Sequence, residues 1–183
     1  MLGRLAKAGN HENTDRDGDS QRQSNRERAM AEVKTEPLFE MSIDLDLETV
    51  QLVGATPRGT RAIGYIKGGT FEGPKLRGEV LPGGGDWLLI RADGVREPDV
   101  RLTLRTDDGH LVYMSYRGIF RIAPELLQRA RSGEAVAPSE YYLRTTPVFE
   151  TASEKYGWLN QIVAVGIGKP TPPGISYTVY AIL

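Results

Sequence analysis

The sequence predicts an all-β domain, a barrel or sandwich of short antiparallel strands with one helix inserted. Three observations carry that prediction. Apolar and polar residues alternate over many short runs, Pro, Gly and Asp turn chemistry separates the runs, and glycines crowd together in IKGGTFEGPKLRGEVLPGGGDWLLIRADG from Ile66 to Gly94. Glycines recurring every few residues through a strand pattern mark bulges and close backbone approach, and so a curved, closing sheet.

The first 29 residues are nearly free of large apolar side chains after Leu5 and run through NHENTDRDGDSQRQSNRERA. Such a segment cannot bury enough surface to offset its ordering entropy, so residues 1–29 are expected to form a disordered tail. Met30 opens a segment of different character, which makes an over-extended gene start one reading of that tail. Asp15, Asp17 and Asp19 imitate the front of a calcium loop, but the glycine comes too early and Arg26 stands where a bidentate Glu belongs. A solvated tail fits better than a calcium site.

The folded domain is expected over 37–183. Period-two alternation begins at Pro37 and puts Phe39, Met41, Ile43, Leu45 and Leu47 on one face of a half-buried strand. Further strands are predicted over 61–66, 75–81, 87–92, 99–106, 110–120, 141–150, 158–167 and 176–183. Turns fall at Thr56-Pro57-Arg58-Gly59, Pro82-Gly83-Gly84-Gly85, Asp93-Gly94, Asp107-Asp108-Gly109 and Thr171-Pro172-Pro173-Gly174. One helix is predicted over 123–132, with Pro124 in its first turn, Leu126 and Leu127 on an apolar stripe and Gly133 past its end, where it would plug one end of a barrel. With no repeat and no second linker, a single barrel-like domain of about 145 residues is the economical reading.

Composition removes several functions. The 23 basic and 24 acidic residues leave a net charge of −1, so no field recruits nucleic acid or an anionic membrane surface. The absence of cysteine removes disulfides, thiolate nucleophiles, iron–sulfur clusters and cysteine zinc sites. MLGRLAKAGN lacks an apolar leader core and no run approaches the roughly 20 apolar residues of a membrane span, so the expectation is a cytoplasmic protein. The two histidines, His11 and His110, are too few for a metal centre or a Ser-His-Asp triad, and no G-x-S-x-G elbow exists. Neither Gly68-Gly69 nor the triple glycine opens a helix as a phosphate cradle would. No metal and no cofactor are expected.

Candidate site residues remain. Asp86 follows the triple-glycine turn, where a carboxylate sits at the mouth of a strand and either serves as a general base or caps the turn through backbone amides. Tyr116 or Tyr142 would stabilise an enolate formed there. Arg101 shares a strand face with Thr103 and Arg105, directed to a cavity or to solvent. Arg144 lies between Tyr142 and Thr146, suited either to hold a carboxylate or phenolate or to brace the outer surface by a cation–π contact. Trp87 supplies an apolar wall, and Trp158 and Asn160 share a strand face that would line the same cavity.

The segments GGTFEGPKLRGEVLPGGGDW, LRTDDGHLVYMSYRG, YYLRTTPVFET and YGWLNQIVAVGIG together resemble a bacterial and fungal family, domain-of-unknown-function family 3237. The likeness runs from about Pro37 to Leu183. It implies a calycin-like antiparallel β-barrel, similar to allene oxide cyclase and dirigent proteins, with a central cavity and no established general activity. Carried to this chain, the motif positions are Gly68, Gly69, Asp86, Trp87, Asp108, Gly109, Tyr116, Arg144, Phe149, Trp158 and Asn160.

The resulting expectation is a cofactor-independent protein that binds a small hydrophobic or aromatic molecule in its cavity. As an enzyme it would be an isomerase, cyclase or lyase, with Asp86 accepting a proton, Arg144 and Asn160 orienting an oxyanion, and Trp87 and Trp158 as walls. The alternatives are a non-catalytic binding module and a structural homo-oligomer with a filled interior. Self-association is expected because Tyr177 and Phe149 are read as outward-facing rings that need cover.

Overall fold

The computed structural model describes residues 32–172 and 174–183. The expected tail, with His11 and the calcium-loop imitation, lies outside the described residues. Lys34–Leu183 form one compact unit, a closed antiparallel barrel with eight wall positions.

β1 (Thr35–Thr56) and β2 (Gly59–Glu72) form a long hairpin across the predicted Thr56-Pro57-Arg58-Gly59 turn. β3 (Arg77–Val80) and β4 (Gly85–Asp86) are two halves of one wall strand, each pairing with β2 on one side and β7 (Asp99–Thr106) on the other. The glycine-rich turn after Leu81 separates them. β5 (Leu89–Ile90) and β6 (Arg96–Glu97) extend the wall between β2 and β8 (Leu111–Ile122). β8 pairs with β7 and β9 (Tyr141–Glu150), β9 with β10 (Ala164–Thr171), and β10 with β11 (Gly174–Ile182). β11 pairs with β1 and closes the ring. Closure pairs the ring strands with one another and so limits the edges an open antiparallel sheet would expose, while β1 beyond Ile43 pairs with β2 alone.

The alternation read from sequence sets which side chains fill the barrel. Phe39, Met41 and Ile43 of β1, Val100, Leu102 and Leu104 of β7, and Val112, Met114 and Tyr116 of β8 all point inward and are buried. A bulge between Pro37 and Phe39 also turns Leu38 inward. Leu45 and Leu47 continue the β1 pattern but leave the packed section, and Leu47 is 61% exposed. One end of the barrel is packed solid around Phe39, whose ring meets Phe71 at 5.6 Å and Phe149 at 6.1 Å, both edge-on.

Gly69 shows why the region around β2 is glycine-rich. Its φ of 149° and its place against the Ser42 carbonyl leave no room for a Cβ, so β1 and β2 can close here only over a glycine.

The helix, α1 (Pro124–Arg131), starts with proline in its first turn as expected. It ends where Gly133, at φ 89°, lets the Glu134 amide donate back to the Arg129 carbonyl at 3.0 Å. No helix among the described residues is long and apolar enough to cross a membrane.

The strand predicted over 158–167 is a correction. Gly157–Gln161 forms a 3-10 turn, and the strand begins only at Ala164. The alternation of Trp158, Leu159, Asn160 and Gln161 imitates a strand because Leu159 alone is fully buried. Asn160 is then used locally: its Oδ1 accepts from the Thr151 amide and its Nδ2 donates to the Thr151 carbonyl, both at 2.9 Å. This turn covers the packed end of the barrel. A second latch ties that end together, as Asp108 accepts from Thr106 Oγ1 at 2.6 Å, from Lys155 at 2.5 Å and from the Tyr156 hydroxyl at 3.2 Å. Those donors hold its carboxyl well below the ordinary range.

Candidate active site

Opposite the packed end lies a cavity of about 260 Å³. Its walls are apolar: Leu45 and Leu47 from β1, Phe120 from β8, Leu143 from β9, Ile175 and Tyr177 from β11, and Leu127 and Ala130 from α1. Asp86, Arg96 and Arg131 are the charged residues lining it. The helix expected to plug a barrel end thus forms part of the wall of this opening.

β4 is the element that aims Asp86. It is only two residues long and is held from both sides, Asp86 facing Gly64 of β2 and Val100 of β7. Paired residues in an antiparallel ladder share a face, so Asp86 points inward with Val100 while Gly85 and Trp87 point out. Asp86 Oδ1 accepts from the Asp99 amide at 2.9 Å, which fixes the carboxyl in place. Burial pushes its pKa up to about 6; the Asp99 amide and Arg61 oppose the shift, and the Asp99 carboxylate adds to it. The carboxyl is therefore poised to give or take a proton near neutral pH.

The same inward row continues from Val100 to Tyr116 on β8. Tyr116 meets Tyr177 edge-on, with ring centroids 5.3 Å apart. Burial holds both phenols above their ordinary range, and the Asp86 charge pushes them further up. Both therefore remain hydroxyl donors at neutral pH.

Of the residues expected to form a site, the structure brings Asp86 and Tyr116 together. Trp87, Arg101, Tyr142 and Arg144 belong instead to the outer face. β9 turns Leu143, Thr145, Pro147 and Phe149 inward, so Tyr142 and Arg144 face out, with the Arg144 guanidinium 5.0 Å from the Tyr142 ring and its Nη1 donating to the Leu143 carbonyl at 2.9 Å. The bracing alternative for Arg144 is the one the geometry realises. β7 turns Arg101 out in the same way, where it stacks 4.9 Å from the Trp87 ring and pairs with Asp99 at 3.2 Å. Trp158 and Asn160 sit at the packed end, Trp158 beneath Lys75 at 5.4 Å. Arg144→Ala should accordingly lower stability by no more than about 1 kcal/mol, read from urea unfolding midpoints, with ligand binding unchanged.

Tyr177 and Phe149 are corrected too: both are inward and 3% exposed, so they supply no outer face in need of cover. Neither ring offers a surface for self-association. Tyr177 was legible in principle, since Tyr177, Val179 and Ala181 form the apolar phase of β11 and Ser176 and Thr178 the polar one. Arg96 and Arg131 carry no comparable sequence signal. They reach the cavity only through the β5–β6 hairpin and the end of α1.

Comparison with known proteins places this architecture. The profile of a family described as "Protein of unknown function (DUF3237)" matches residues 33–182. A UPF0311 protein of Clostridium acetobutylicum is 35% identical over 152 residues, 82% of this chain and 95% of that protein. The crystal structure of a conserved protein of unknown function from Rhodopseudomonas palustris superposes with a TM-score of 0.77 at 32% identity, covering 84% of this chain and all of the other. A hydroalkoxylation enzyme of Penicillium herquei is 29% identical over 117 residues, 63% of this chain and 60% of its own length. The chain belongs to the DUF3237 family of β-barrel proteins.

Proposed function

We propose that the cavity binds a small hydrophobic or aromatic molecule and that Asp86 moves a proton on it, in a cofactor-independent isomerisation, cyclisation or lyase reaction. The observation that carries this reading is the Asp86 carboxyl itself, fixed by the Asp99 amide in a mainly apolar cavity wall, where burial pushes its pKa up to about 6. A group of that strength serves as acid in one step and base in the next. Tyr177, a protonated phenol in the same wall, is placed to hydrogen-bond a substrate oxygen, with Tyr116 packed edge-on behind it.

The likeness to a hydroalkoxylation enzyme gives the class a concrete form. Adding an O–H across a carbon–carbon double bond breaks the O–H and the π bond and forms one C–O and one C–H bond. Asp86 would give its proton to the alkene carbon and recover one from the attacking hydroxyl, so nothing is consumed. An apolar enclosure favours such a step by keeping competing water from the cationic carbon.

The test uses 2-prenylphenol, whose isomerisation to 2,2-dimethylchroman is followed by NMR in D2O. The wild-type protein is expected to form the chroman with one deuterium on carbon. Binding with neither isomerisation nor deuterium uptake would overturn the catalytic reading and leave a binding module.

A further inference from the structure

Two cations in the cavity wall are left without a role by proton transfer at Asp86. Arg96 comes from β6, half-buried, with its guanidinium 6.0 Å from the Phe120 ring, and Arg131 is the last residue of α1 and exposed. Their sequence neighbours are matched to acids: Arg91 pairs with Asp93 and Glu97, and Arg129 with Glu134. Among the described residues neither Arg96 nor Arg131 makes an ion pair. The one polar contact of Arg96 is Nη1 donating to the Gly94 carbonyl at 3.4 Å.

A position at a helix C-terminus accounts for Arg131, because a cation there offsets the helix dipole. Arg96 has only its long contact with Gly94 and the Phe120 ring at 6.0 Å to set against its charge. Burial, with the Arg131 charge adding to it, pushes its guanidinium below the ordinary range, and no acid offsets that cost. The cost at Arg96, burial with the Arg131 charge added, stands unless an anion completes the arrangement. Departures of this kind from local stability concentrate at binding sites.

We propose that the cavity is built for an organic anion, whose carboxylate or like oxyanion sits on Arg96 and Arg131 while its apolar body reaches toward Asp86. The planar guanidinium fork suits such a group. The orientation follows from exposure: Arg131 is open to solvent, whereas Asp86 is largely enclosed and would repel an anion when ionised. An engineered cavity of about 150 Å³ holds benzene, so the 260 Å³ here suits a fused bicyclic body. This inference rests on the reading of the cavity as a ligand site.

Calorimetric titration with 2-naphthoate and its neutral counterpart 2-naphthalenemethanol tests both readings separately. On the wild-type protein the anion should bind at least about tenfold more tightly than the alcohol. Arg96→Gln should remove about that factor for naphthoate and leave the alcohol within roughly twofold, which also shows that the variant is folded. Arg131→Gln should act in the same direction, and Arg144→Gln, with the same change of net charge on the outer face, should do nothing. Equal binding of both probes to wild type, or equal weakening of both by Arg96→Gln, overturns the anion site and leaves the cavity reading standing. Failure of both probes to bind wild type overturns the cavity reading and this one with it.

Discussion

Asp86→Asn should give a protein that is slower and more stable at once. The amide keeps an oxygen to accept from the Asp99 amide but cannot exchange a proton with a substrate, so turnover of 2-prenylphenol should fall by about 10²- to 10⁴-fold, the usual contribution of a positioned acid or base. Stability should move the other way. A carboxyl whose pKa is raised from 3.8 to about 6 on folding favours the fold below pH 4 and loses that advantage as pH rises through 6. The loss is bounded at about 3 kcal/mol from the size of the shift, at roughly 1.4 kcal/mol for each pH unit. Asparagine has no such loss. Urea unfolding of both proteins between pH 4 and 8 should therefore show the variant gaining on wild type with rising pH, most steeply around pH 5 and levelling off above pH 6. A difference that stays flat across that range would mean that Asp86 is not held in an apolar site, and the proton-transfer role would go with it.

That outcome would fit the way stability and function trade against each other at sites. Asp86, desolvated by burial, with an acid neighbour in Asp99 and only a weak opposing influence from Arg61, is unfavourably placed for folding. So is Arg96. Asp86 is largely enclosed and Arg96 half-buried, neither makes an ion pair among the described residues, and both line the same cavity.

What could be read in advance divides along physical lines. Period-two alternation depends only on neighbours in sequence, so the inward faces of β1, β7 and β8 were legible from Phe39, Leu102 and Met114. Which end of the barrel is packed and which is hollow was not, because it depends on how far each strand runs past its neighbours. Leu45 and Leu47 continue the same alternation as Ile43, yet β11 pairs with β1 only as far as Ile43, and beyond that point these leucines become cavity wall. Strand phase also decided the candidate site. Asp86 and Tyr116 lie on inward phases, whereas Trp87, Arg101, Tyr142 and Arg144, no less suited by side-chain chemistry alone, lie on outward ones. In a barrel one residue of phase separates ligand contact from solvent.

The same substitution at two glycines should separate packing from space. Gly168 on β10 faces Tyr177 on β11. A Cβ there would stand 2.8 Å from Tyr177 Cε1 and closer still to the Leu143 side chain. Both neighbours are buried, and the space open to them is the cavity they line. Gly168→Ala should therefore cost about 1–3 kcal/mol in unfolding experiments, as overpacking of a filled core does. It should also weaken binding of 2-naphthoate and the neutral alcohol alike, because relief of the clash pushes Tyr177 or Leu143 into the ligand's space. Gly64 makes the opposite case. It pairs with Asp86 on the inward face, its φ lies outside the positive region, and an added Cβ meets nothing within 4 Å. Gly64→Ala should leave stability unchanged or raise it by about 0.5–1 kcal/mol through the lost freedom of the unfolded chain. Gly64→Leu should keep the fold and abolish probe binding by occupying the space beside Asp86. If Gly64→Leu binds both probes as wild type does, the ligand does not reach Asp86, and the carboxyl and the cavity would have to be assigned separate roles.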